Sequence, residues 1–318
     1  MKQRIYLFDN LKVFLIFSVV LGHLLEYTLT GIDREVYSVI YMFHMPLFIF
    51  ISGYLSKFSV SRLLNKIIYP YVIFQVILSL LFQKEFLEFL NPTWVMWYML
   101  AMIVWTLIIP IIDRKRNVVK IFILIISIAF GVYVGYLDRD VGLIFSLSRI
   151  AVFSPFFILG FYCKKIDIIS LLRKNSIRII FGSITLFVII LIVLFSEDIR
   201  VSWFYGTVPY FMRGFTVLHR ILIYLVSTAM SVFFISVFPT DRTALSYIGE
   251  RSVNVYLLHA VILKIVFSVF NIFTLVNIDW MNLLIALALS VIIVYICSTN
   301  FVKYKLWWLF EFRWSTKR

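Results

Sequence analysis

Long apolar runs alternate with short polar connections along the whole chain. A helix needs about 20 consecutive apolar residues to cross the hydrocarbon core of a bilayer. The pattern predicts spans at roughly 7–29, 36–58, 67–83, 94–112, 118–137, 143–163, 176–195, 214–238, 253–273 and 280–302. The expected fold is all-α: a polytopic integral membrane protein with about ten transmembrane helices, residues 1–318 forming one membrane domain. No linker, soluble domain, internal repeat or low-complexity segment is left over.

The polar connections orient these spans. Lys2, Arg4, Lys57, Arg62, Lys66, the 114–120 cluster, Lys164, Lys165, Arg173, Lys174, Arg178, Arg242, Arg251 and the basic residues after 302 all fall on one side. The other side carries Arg34, Lys84, Arg139 and Arg200 together with Asp33, Glu35, Glu85, Glu88, Asp138, Asp140, Glu197 and Asp198. Basic residues accumulate in cytoplasmic loops, so both termini are expected in the cytoplasm.

Composition removes other classes. The chain is 63% hydrophobic and 14% charged, with a mean hydropathy of +1.00. Soluble domains are nearer half apolar and a quarter charged. The net charge of +14 follows from the inward bias of the loops, so no nucleic-acid partner is expected. Cys163 and Cys297 both lie in apolar runs and are too few for a disulfide framework. The start, "MKQR" before an apolar run, looks like a signal peptide but has no small-residue cleavage pattern, and it reads as an uncleaved first helix.

Ionisable residues inside spans usually face a bundle interior or a wet cavity, which makes them functional candidates. "FDNLKVFLIFSVVLGHLL", residues 8–25, carries Asp9, Lys12 and His23. Eleven residues separate Lys12 from His23, about 20° from three full turns, so both lie on one helix face roughly 16 Å apart along the axis. Asp9 precedes Lys12 by one turn and Glu26 follows His23 by one turn on the same stripe. In the second span, "FHMPLFIFISGY" places His44 at the depth of His23. Pro46 is expected to interrupt the backbone ladder there, and Ser52–Gly53 to permit close helix approach. Arg149 lies in the outer half of the sixth span without a neighbouring acid. Arg213, His219 and Arg220 open the eighth span and are expected to anchor at the outer headgroups. His259, in the ninth span, is placed at the depth of Asp9 and Lys12, with an anion site at that end.

"D-x-x-K-x10-H" followed by "FHMPLFIFISGY" resembles the membrane acyltransferase-3 family, in its fucose 4-O-acetylase-like branch. "WVMWYML" at 94–100, "SRIAVFSPFFILGFY" at 148–162, the long eighth span ending in proline, and "LSYIGERSVNVYLLH" at 245–259 follow in the same order, so the likeness covers about 7–300. It implies transfer of an acyl group, usually acetyl from cytoplasmic acetyl-CoA, to a sugar hydroxyl of an exported or cell-surface glycan. By resemblance His23 is the essential histidine, as general base or as acetyl carrier. Glu26 is expected to orient it. His44 is expected to bind the acceptor or assist proton transfer. Arg149 would stabilise the oxyanion or hold an acidic group. Lys12 stands where the family commonly has arginine; with Asp9 and His259 it forms the expected cofactor-binding end. Expected partners are a glycan or lipid-linked sugar acceptor, the lipid bilayer, and glycan biosynthesis or export proteins, at the plasma membrane; no metal is expected. The rival readings are a proton-coupled transporter, because histidine–carboxylate chains serve proton relays, and an assembly factor without chemistry.

Overall fold

The computed structural model describes residues 4–29, 31–85, 88, 91–113, 115–269 and 279–313. Ten helices follow the predicted order: α1 (Tyr6–Leu25), α2 (Gly31–Leu55), α3 (Val60–Leu81), α4 (Trp94–Ile112), α5 (Asn117–Tyr136), α6 (Leu147–Cys163), α7 (Asn175–Leu194), α8 (Val217–Val237), α9 (Ser252–Val269) and α10 (Asp279–Cys297). Among the described residues, nine helices are long and apolar enough to cross a membrane; α9 is a shorter apolar helix, and residues 270–273 of its predicted span lie outside the described residues. The fold class is that of an all-α polytopic membrane protein.

Burial separates centre from rim. The apolar windows of α1 and α2 are 72% and 67% buried, whereas those of α5 and α7 are 22% and 17% buried. α1 and α2 are therefore central, and α5 and α7 present apolar side chains such as Ile121, Phe122, Leu186 and Phe187 to lipid. The central pair α2 and α6 crosses through reciprocal glycines. A Cβ at Gly53 would overlap the Phe157 carbonyl, and one at Gly160 would overlap the Phe50 carbonyl. Ser52–Gly53 thus acts as expected, with a matching glycine on the opposite helix.

α2 runs on through Pro46 as one helix. Proline lacks the N–H that would bond four residues back. The carbonyl left over, that of Met42, accepts instead from Ser227 Oγ of α8 at 2.5 Å. At Pro155 of α6 the equivalent carbonyl, Ala151, accepts from Ser154 Oγ at 2.9 Å. α3 starts seven residues before its predicted span. Ser59 caps it, and a π turn at Leu64–Ile68 precedes Pro70, carrying Arg62 and Lys66 into the helix.

Hydrogen bonds between connections show which of them share an end. Lys164 Nζ donates to the Ser56 carbonyl at 2.6 Å, Arg173 to that of Phe238 at 2.6 Å, and the Phe312 amide to that of Asn65 at 3.0 Å. Arg34 reaches Glu197 at 3.1 Å, and the Phe145 amide reaches Asn91 Oδ1 at 3.0 Å. The connections sort into the two groups that their charges predict. Arg4 pairs with Glu250 and Lys66 with Glu311, so both described terminal segments lie at the basic end.

Candidate active site

Two cavities within the bundle share a lining residue, Tyr256. The first, of about 250 Å³, is lined among others by His23, Glu26, Tyr41, His44, Arg149 and Tyr205. The second, of about 240 Å³, opens among Lys12, Lys57, Arg62 and Lys66 at the basic end. Lys12 and His23 line different cavities from one helix, as their shared face predicts.

In the first cavity His23 Nδ1 lies 3.0 Å from Glu26 Oε1. A carboxylate only accepts, so Nδ1 is the donor, and in the neutral ring the lone pair is on Nε2. The same carboxylate oxygen accepts from Tyr41 Oη at 2.6 Å and Tyr37 Oη at 3.3 Å. Tyr37 and Tyr205 share a hydroxyl contact of 2.7 Å. The carboxylate is thus held by donors on α2, and it fixes the histidine ring one helical turn before it.

His44 donates from Nδ1 to the Ile40 carbonyl at 2.8 Å, which leaves Nε2 as its acceptor. Its ring packs edge-on to Tyr41 at 4.7 Å. Arg149 donates from Nε to the Tyr205 carbonyl at 3.3 Å, and its guanidinium lies 5.3 Å from the Trp97 ring centre. No Arg149–carboxylate ion pair occurs among the described residues. The cavity therefore holds a base-competent imidazole, a second imidazole acceptor and a cation.

The Trp94 ring lies 4.8 Å from that of His23. Its backbone has φ +47, a left-handed conformation unusual for a bulky residue. A buried network holds this turn in place. Gln75 of α3 accepts from the Thr93 amide at 2.9 Å and donates to the Asn91 carbonyl at 2.8 Å, while Ser79 and Thr93 share a hydroxyl contact of 2.8 Å.

At the basic end Asp9 is buried between two cations: Lys12 Nζ at 2.9 Å and Arg4 Nε at 2.6 Å. The Asp9 hydrogen bond raises the Arg4 pKa against the opposing effect of burial. Asp9 does not line the cavity; it positions Lys12, which does. The neighbouring Asn10 fixes the 239–246 segment to α1 through the Pro239 and Asp241 carbonyls, Thr243 and Ser246.

Two placements differ from expectation. His259 lies beside His23, ring centres 5.5 Å apart, and not at the depth of Lys12. The short helix Ser246–Glu250 occupies that depth, with Gly249 against the Asp9 carbonyl, so α9 begins deeper. His259 is fully buried, donates to the Val255 carbonyl at 3.1 Å, and has no bonded partner at Nε2. Arg220 is also no headgroup anchor. It is 1% exposed and packs 4.8 Å from the Phe215 ring centre. Arg213, by contrast, is exposed as expected.

His23, Glu26, His44 and Arg149 thus meet in one cavity, Lys12 lines the other, and Asp9 and His259 lie behind the walls. The sequence does not single out the tyrosines around Glu26, and it presents Trp94 only as the start of the "WVMWYML" motif. Tyr37 and Tyr41 are four residues apart, and His44 three further on, which puts all three on one face of α2. That spacing was the available signal.

The family model described as an acyltransferase domain, acyltransferase-3, matches residues 5–299. The nodulation protein NolL of Mesorhizobium japonicum is 48% identical over 60 residues, covering 17% of this chain and 16% of that protein. NolL of Sinorhizobium fredii is 47% identical over 60 residues, with the same coverage. The matched stretch is about a sixth of the length of these curated relatives. No solved structure matches. With the family model spanning every helix that lines the two cavities, the chain belongs to the membrane acyltransferase-3 family.

Proposed function

We propose that the protein is an O-acetyltransferase of the plasma membrane, with both termini in the cytoplasm. It would move acetyl from cytoplasmic acetyl-CoA to a sugar hydroxyl of an exported or cell-surface glycan. The observation that carries this reading is the His23–Glu26 pair. Nδ1 is committed to the carboxylate, and the lone pair of Nε2 belongs to a ring that lines a cavity shared with Arg149.

The acetyl thioester supplies an activated carbonyl. His23 Nε2 takes the acceptor hydroxyl proton as the oxygen attacks. Glu26 stabilises the imidazolium that forms, and Tyr41 and Tyr37 keep the carboxylate in place. The Arg149 guanidinium answers the negative charge that builds on the carbonyl oxygen. His44 offers an Nε2 acceptor for another hydroxyl of the sugar. The rim of Lys12, Lys57, Arg62 and Lys66 suits a polyphosphate. Beyond it, Phe48, Met99 and Met102 give an apolar wall for an uncharged arm.

The test uses the purified protein in proteoliposomes with radiolabelled acetyl-CoA and surface polysaccharide from cells lacking the gene. Polysaccharide-bound label that depends on the protein supports the reading. Absence of label, with the protein folded and correctly inserted, overturns it.

A further inference from the structure

A third cavity, of about 550 Å³, opens at the basic end. It shares Ser56 and Lys57 with the cavity rimmed by Lys12. It lies where the C-terminal ends of α2, α4 and α6 meet: Lys57 follows α2, Asp113 caps α4, and Lys164 and Lys165 follow α6. Lys164 Nζ donates to the Ser56 carbonyl at 2.6 Å. Lys165 Nζ donates to Asp113 Oδ1 at 2.9 Å and to the Asp113 carbonyl at 3.2 Å. These bonds tether both ammonium groups at the cavity. Inward bias accounts for lysines in these connections. It does not account for three of them, from two separate connections, converging on one cavity.

We propose that this cavity is the subsite for a phosphate monoester, the 3′-phosphate on the ribose of the acyl-CoA donor, so that the enzyme distinguishes acetyl-CoA from acetyl-dephospho-CoA. This rests on the acyl-transfer reading above. The donor carries phosphate in two places, a diphosphate and a monoester one ribose apart. Its uncharged arm enters the Lys12 cavity, and the diphosphate stays at the rim, because charge is excluded from the apolar interior. The nucleoside then lies outside that rim, and Lys57, common to both cavities, stands where one passes into the other.

Charge and shape fit the monoester. Three ammonium groups face one carboxylate, which leaves two positive charges. A phosphate monoester brings about −1.5 to −2 at neutral pH. Phe58, also on the wall, is 40% exposed and offers a ring for the purine to lie against. A lipid headgroup phosphate has the same chemistry and can reach the same end of the molecule, so the test separates the two sources.

The experiment uses full-length wild type, Lys164→Met and Lys165→Met in phosphatidylcholine vesicles, with surface polysaccharide from cells lacking the gene at saturating concentration. Acetyl-labelled acetyl-CoA and acetyl-dephospho-CoA are supplied separately, and donor KM and kcat are read from polysaccharide-bound label. For wild type, KM is expected to be about 5- to 30-fold higher for acetyl-dephospho-CoA, with kcat little changed. Each variant should raise KM for acetyl-CoA about 3- to 10-fold and leave that for acetyl-dephospho-CoA within about twofold, so the discrimination narrows. Lys165→Met carries the test if Lys164→Met, which also loses the Ser56 bond, does not fold. Wild type that uses the two donors within about twofold of each other overturns the subsite and leaves acyl transfer standing. Variants that raise KM equally for both donors overturn it as well. A wild-type rate that changes when phosphatidic acid is added to the vesicles, without donor discrimination and without the change in Lys165→Met, assigns the cavity to a lipid and overturns the proposal. If wild type transfers label from neither donor, the acyl-transfer reading itself fails, and the subsite with it.

Discussion

Glu26→Gln separates the charge of the His23–Glu26 pair from its shape. Glu26 Oε1 accepts from His23 Nδ1 at 3.0 Å, Tyr41 Oη at 2.6 Å and Tyr37 Oη at 3.3 Å. An amide keeps a carbonyl oxygen for His23 Nδ1 but removes the negative charge that faces the imidazolium during reaction. A hydrogen bond to a charged group contributes roughly 1.5–3 kcal/mol, about twice a neutral one, so the amide forfeits about 0.75–1.5 kcal/mol. At 1.36 kcal/mol per decade this lowers kcat about 4- to 13-fold. Alanine is the poorer probe, because it also strands the Tyr41 hydroxyl, at roughly 1–3 kcal/mol. The assay is the initial rate of CoA thiol release at saturating acceptor across a range of acetyl-CoA concentrations. KM for acetyl-CoA is expected within about twofold of wild type, since the Lys12 cavity is untouched. A kcat for Glu26→Gln within about twofold of wild type would refute the pairing as catalytic.

Three further outcomes follow from the same geometry. Lys12→Met removes one rim cation and frees Asp9 to pair with Arg4 alone, so KM for acetyl-CoA should rise about 5- to 30-fold with kcat little changed; steady-state kinetics in proteoliposomes decide it. Gln75→Leu strands the Thr93 amide and leaves the Asn91 carbonyl to Lys84 alone, and it should lower thermal stability in detergent by about 1–3 kcal/mol while loosening Trp94 over His23. Gly53→Ala drives a methyl into the Phe157 carbonyl across the α2–α6 crossing, so folded yield on size-exclusion should fall in line with a loss of about 3 kcal/mol.

The sequence shows the framework more fully than the site. Apolar run length and loop charge are local properties, and they place all ten helices and group their connections. The stripe through Lys12 and His23 is legible because one helix fixes both angles. The surroundings of the His23–Glu26 pair are not, because Tyr37, Tyr41 and Trp94 come from other helices and look like ordinary membrane aromatics. Trp94 in addition requires a left-handed backbone that only the Gln75 network explains. The depth of His259 is misjudged because the short helix Ser246–Glu250 takes the layer at which a continuous ninth span would begin. Arg220 reads as an interfacial cation because its aromatic surroundings, Phe215 and Tyr210, are brought to it by the fold.

The central claim is that His23 performs acyl transfer to a surface glycan. Mass spectrometry of that glycan, from cells making wild type or His23→Ala at equal membrane levels, tests it most directly. The expected result is a gain of about 42 mass units per modified sugar with wild type and none with His23→Ala. Equal modification in the two strains would contradict it.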